Sequence, residues 1–234
     1  MAPNRLPRIG FLTGIAGAIA LGSLEIALPA LAAPVSDGFR IGRLKYDGGG
    51  DWYSNPTSLP NLLEALRGRT PTLVTDLQEV RVEILDEELF ALPLLYMNGH
   101  GEVRWSQSEV DRLREYISRG GFLWGDDNYG MDRSFRRELS KVFPESPLVE
   151  LPFSHPIFHS YYDISGGTPK VHEHDGKPPQ ALGIFQEGRL VVLYTYESDI
   201  GDGIEDASVH KDPEPIREAA MKFAVNVIIY AMTH

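Results

Sequence analysis

Residues 92–99 (LPLLYMNG) and 120–127 (GGFLWGDD) are apolar runs that end on polar residues, with an amphipathic segment between them. A short run that is apolar at successive positions reads as a strand buried on both faces. The segment between them opens with Ser106 and Glu109 in an S-x-x-E capping box and predicts a helix to Arg119. Its core face is Val110, Leu113, Tyr116 and Ile117, and Gly120 supplies a left-handed stop. Strand, helix and strand in this order are the building unit of a parallel sheet covered on both sides.

The same alternation runs along the chain. Phe39 to Tyr46 reads as a first strand, Leu62, Leu63 and Leu66 mark a helix over 59–68, and Val80, Val82 and Ile84 alternate as a second strand. Phe135, Leu139 and Val142 place a helix at 132–142, and LVELP is short and extended. ALGIFQEGRLVVLYTY predicts two strands joined at Glu187-Gly188, before a closing helix from Pro215 to Met232. The expected fold is α/β, a three-layer sandwich around a mostly parallel sheet.

The first 32 residues stand apart. Arg5 and Arg8 precede an apolar stretch from Phe11 to Leu24, and Ala30-Leu31-Ala32 has the small-x-small pattern of a cleavage site. This is the form of a Sec-type signal peptide, so the expected mature protein is one exported, periplasmic domain over 33–234, without a transmembrane span. That mature chain has 20 Lys and Arg against 32 Asp and Glu, which disfavours nucleic acid and anionic lipid as partners. The chain has no cysteine, so neither disulfides nor thiol chemistry are open to it.

A parallel sheet gathers its ligands at the carboxyl ends of its strands. The loops expected there are DGGGDW, NGHGEV, GDDNYG and ESDIGDG, all carrying acid, amide or imidazole groups. Several segments, LLYMNGHGEV, SEVDRLREYISRGGFLWGDDNYG, FPESPLVELPFSHPIFHSYY, PKVHEHDG and GRLVVLYTYESDIGDG, resemble the bacterial family known as domain of unknown function 4159. The resemblance covers the chain from Phe39 to Thr233. It implies a flavodoxin-like fold similar to the class I glutamine amidotransferases, and it implies no established activity. Those enzymes carry a nucleophilic cysteine on a strand-to-helix elbow and a His and Glu after a late strand. Here Asp127 falls on the elbow, and Tyr196-Glu197 follows the late strand. A carboxylate cannot form the thioester, so glutamine hydrolysis by that route is excluded.

The candidate catalytic groups are Asp126, Asp127 and Glu197. Successive residues of a strand point to opposite sides, so one of Asp126 and Asp127 is expected at the cleft while the other caps the next helix. The candidate ligand-binding set is Trp52, Gly99, His100, Asp127, Asn128, Glu197 and Asp199. His172 and His174, in H-E-H, are candidate metal ligands together with Asp127 or Asp199. His155 and His159, spaced i, i+4, are a weaker pair.

Three functions remain open. The first is an exported domain that lacks the amidotransferase thiol and binds a small polar ligand or a protein partner at the sheet rim. The second is a metal-dependent hydrolase holding zinc or another divalent ion. The third is a structural subunit of an envelope assembly.

Overall fold

The computed structural model describes residues 38–72, 74 and 76–234, so the expected leader at 1–32 lies outside the described residues. Seven strands form one sheet: β1 (Ile41–Lys45), β2 (Val80–Glu83), β3 (Leu94–His100), β4 (Phe122–Tyr129), β5 (Val149–Glu150), β6 (Gln180–Gln186) and β7 (Arg189–Tyr196). Their spatial order is β2-β1-β3-β4-β7-β6-β5. The pairs from β2 through β7 are parallel, while β6 runs antiparallel to both β7 and β5. The chain therefore grows in opposite directions from β1, to β2 on one side and β3 on the other, which opens a crevice at the carboxyl rim.

The main helices are α1 (Ser58–Arg69), α2 (Gln107–Ser118), α3 (Asp132–Val142) and α6 (Glu214–Thr233). Two more, α4 (Ile200–Gly203) and α5 (Ala207–His210), are single turns between β7 and α6. One core packs Leu59, Leu62 and Leu66 of α1 with Phe223 and Val227 of α6 against Ile41, Tyr96 and Trp124 of the sheet. The other packs Val110 and Leu113 of α2 with Phe135 and Leu139 of α3 against Leu95, Met97 and Leu123. Two cores on opposite faces make three layers. Consecutive residues of β3 feed different cores, which explains its unbroken apolar run.

Local signals set the boundaries. The Ser106 hydroxyl accepts from the Glu109 N–H at 3.3 Å, and Glu109 returns to the Ser106 N–H at 2.6 Å, a complete capping box. At the β6–β7 turn, Glu187 and Gly188 both have positive φ, 51° and 81°, as a tight hairpin twist requires. Among the described residues, no helix is long and apolar enough to cross a membrane.

Candidate functional site

The elbow after β4 is built by a slip in the ladder. Gly99 pairs with Asp127, but His100 pairs with Tyr129, leaving Asn128 as an extra residue. Such a bulge bends the strand end and re-aims its side chains. Tyr129 sits there at φ 145°, and its ring is exposed.

The two aspartates divide their work differently from the simplest expectation. Asp126 is fully buried and faces α4. Its carboxylate accepts from the backbone N–H groups of Gly201 at 2.6 Å and Ile200 at 3.3 Å, from the Tyr96 hydroxyl at 3.2 Å, and from Thr195 Oγ1. Asp127 both lines the cleft and accepts from the Met131 N–H at 3.1 Å at the start of α3, so it combines the two roles expected of separate residues. Burial pushes each carboxyl up to about 6. The donors from Thr195, Gly201 and Ile200 oppose that rise at Asp126.

Asp127, Tyr129, Asp132, Arg133, Asp175, Lys177, Tyr196 and Glu197 line a cleft of about 340 Å³ between the ends of β4 and β7. Lys177 donates to the Tyr196 hydroxyl at 2.8 Å, and Glu197 accepts from the Asp175 N–H at 3.1 Å and Lys170 Nζ at 3.2 Å. Larger hollows of about 400 and 710 Å³ lie between α3 and β6 and around the β6–β7 turn. Neither is at the carboxyl rim nor gathers the elbow acids, and the smaller cleft is the chemically organised one.

The remaining candidate ligand residues lie around this cleft rather than in it. His100, exposed at the end of β3, pairs through Nδ1 with Asp51 at 3.0 Å. Trp52 packs partly buried against the α2–α3 core, with the Lys45 ammonium 5.8 Å from its ring centre. Gly99 makes room: a Cβ there would stand 2.3 Å from the Tyr46 hydroxyl. Asn128 is buried, accepting from Asn98 Nδ2 at 3.0 Å and donating to Asp202 Oδ1 at 2.8 Å.

Asn128 belongs to a polar network beneath the rim. Arg43, 1% exposed, donates to Asn98 Oδ1 at 2.9 Å, Ser54 O at 3.0 Å, Asn55 O at 3.1 Å and Ser58 Oγ at 3.2 Å. Its Nε faces Glu79 at 3.2 Å. Asn98 Nδ2 donates to Asn55 Oδ1 at 2.8 Å, and Asn55 donates to Asp202. Arg43 and Asn98 escape sequence reading because they sit inside otherwise strand-like segments.

The late loop carries most of the imidazoles. Glu197 and Asp199 are both left-handed, at φ 55°, a strained state for residues other than glycine. His172 and His174 do share a partner as H-E-H spacing implies: Asp199 Oδ2 lies 3.3 Å from His172 Nδ1 and 2.7 Å from His174 Nε2. Burial raises the Asp199 carboxyl to about 8, and Asp199, Asp202 and Asp212 hold His172 up at about 9. Burial lowers His174, which stacks on the Tyr129 ring at 5.0 Å. His172, Asp202 and His210 form a group able to hold a metal ion, with their ligand atoms all within 4.8 Å of one another. Asp202 and His210 were outside the ligand set expected from sequence.

His155 and His159 are not brought to this group. His155 Nδ1 accepts from the Ile157 N–H at 3.2 Å, and its ring packs against Tyr230 and Phe185. His159 is held by Asp163 and the Phe153 carbonyl, each at 2.8 Å. The i, i+4 spacing serves local tethering.

A family profile described as "Domain of unknown function (DUF4159)" matches residues 40–232. No curated protein matches the chain.

Proposed function

The chain belongs to the DUF4159 family, whose description assigns no activity, and from that premise we propose a binding domain whose cleft at the carboxyl rim takes a small polar ligand. The observation that carries this reading is the cleft itself, where buried Asp127 shares about 340 Å³ with the exposed Tyr129 ring, Lys177 and Glu197. A carboxyl near neutrality and an exposed aromatic face suit a ligand rich in hydroxyl or amino groups. The finer assignment, a flavodoxin-like domain similar to class I glutamine amidotransferases, is supported by the elbow at Asp127 facing Glu197 after β7. The thiol of those enzymes is replaced by a carboxylate. Export, read from residues 1–32, would present the cleft to envelope metabolites.

A thermal-shift screen of hydroxylated and amino-bearing envelope metabolites tests the reading. A ligand that raises Tm, with the shift lost in Asp127→Ala, is the expected result. The reading fails if no compound moves Tm, or if every shift survives that substitution. The protein-partner and envelope-subunit readings predict instead that the chain is recovered from native envelopes in a complex.

The second reading is a metal-dependent hydrolase. It is favoured by the group of His172, Asp202 and His210, near enough to the cleft for His174 to stack on Tyr129. A bound zinc ion would supply an activated water, and of the two general bases expected for it, Asp126 and Glu197, Glu197 is the one that lines the cleft.

A further inference from the structure

His172 and His210 are each gripped from behind. The Nε2 atom of His172 bonds Asp212 at 3.1 Å, and that of His210 bonds Glu205 at 3.0 Å. Their Nδ1 atoms both turn to Asp202 Oδ2, at 2.9 and 3.5 Å. The other oxygen of Asp202 accepts from Asn128 at 2.8 Å and from Asn55. A carboxylate orienting one imidazole nitrogen is the usual outer support of a metal ligand. Here the second nitrogens converge on one carboxylate oxygen, where an ion would take the place of the protons between them.

A separate observation points the same way. Asp199 is 1% exposed, and its Oδ1 has no hydrogen-bond partner. Its Oδ2 contacts His172 and His174, yet His174 Nε2 also has no hydrogen-bond partner despite the 2.7 Å approach. A buried carboxylate oxygen and ring nitrogen left without partners are costly unless another group engages them. A cation bound beside His172 would face the Asp199 carboxylate.

We propose that His172, His210 and Asp202 form a binding site for a first-row divalent ion of the zinc class, with Asp199 Oδ2, 3.3 Å from His172 Nδ1, at its edge. Two imidazoles with carboxylates favour such an ion over calcium or magnesium, which take oxygen donors. The ligands come from three places, the 170–176 bend, the turn after β7, and α5, so the ion would clamp the late loop to the rim. This inference adds a ligand set and ion class to the metal reading, and it holds whether or not the cleft binds a metabolite or any hydrolysis occurs.

The test is a titration of the tag-free full chain, stripped with chelator, against Zn²⁺ by calorimetry and against Co²⁺ by visible absorption. One equivalent bound, with a Co²⁺ spectrum of low-coordinate type, is expected. His210→Ala, a change at an exposed position, is expected to weaken binding at least a hundredfold, and Glu205→Gln about tenfold. His159→Ala should leave binding intact. Circular dichroism of each variant confirms that it is folded. Failure to take up stoichiometric ion, or uptake undiminished in folded His210→Ala, overturns the site. Neither result bears on the metabolite screen, so the two readings fail separately.

Discussion

The Asp126 carboxylate accepts the backbone N–H of Gly201 at 2.6 Å, across 75 residues of chain. This bond, with the one from Ile200, docks α4 onto the end of β4 and so sets where Asp199 and Asp202 stand. The approach depends on glycine, since a Cβ at 201 would lie 2.6 Å from the Tyr96 hydroxyl and 3.1 Å from Asp126 Oδ2.

Asp126→Ala should therefore be among the more damaging single changes at the rim. It strands two buried backbone donors, at about 1–3 kcal/mol each. Gly201→Ala should cost about 1–3 kcal/mol through overpacking. Urea unfolding measures both. A loss below about 1 kcal/mol for Asp126→Ala would mean that α4 is docked by something else.

The raised carboxyls give a pH dependence of definite sign. Asp127 titrates at about 6 in the fold against 3.8 as the ordinary value. A raised folded value means that the stability it contributes is fully present below 3.8 and is lost as pH climbs through 6. Two units correspond to about 3 kcal/mol. Asp127→Asn removes the titration while its side-chain carbonyl can still accept from Met131. Between pH 4 and pH 7 the unfolding free energy of the variant relative to wild type should move in the variant's favour by about 2–3 kcal/mol. Parallel pH profiles for the two proteins would show that Asp127 titrates normally.

How much of this was readable beforehand depends on the range of the interactions. The Ser106–Glu109 box, the apolar run of β3 and the Glu187-Gly188 turn are fixed by residues a few positions apart, and all three are present as expected. The positions of Asp127 and Glu197 were legible from strand ends, while for the H-E-H pair spacing left Asp127 and Asp199 open, and Asp199 is the one in contact. His210 and Asp202 were not. They sit on or beside helices of four residues each, which have no periodicity to read, and their partners lie in the 170–176 bend. His155 and His159 misled because spacing says nothing about whether a ring nitrogen is already spent on a local cap.

Arg43 is the largest risk taken by the core. It is a buried cation facing buried Glu79, with four further acceptors around its guanidinium. Arg43→Met leaves that carboxylate with only the largely exposed Arg81, 3.2 Å away, and strands the four other acceptors, so it should cost about 3–5 kcal/mol. Arg43→Lys should recover only part of it, because one ammonium cannot span a fork of five acceptors. Chemical denaturation of the two variants is the check, and equal stability of Lys and Arg would show that charge alone matters here.

Asn128 tests whether the network beneath the rim acts on the metal group. It is the extra residue of the β4 bulge, and its amide donates to Asp202 Oδ1 while its carbonyl accepts from Asn98. Asn128→Ala leaves Asp202 Oδ1 with the Asn55 donor alone and Asn98 with one acceptor fewer. A stability loss of about 1–2 kcal/mol is expected from the two hydrogen bonds removed, since Asn98 Nδ2 keeps Ser54 and Asn55 as acceptors. If orientation of Asp202 matters for the ion, zinc affinity should also fall about tenfold although no ligand has been removed. Calorimetry on the folded variant separates the effects: destabilisation with wild-type zinc affinity would mean that Asp202 is held by the imidazoles and Asn55, and that the bulge serves the fold alone.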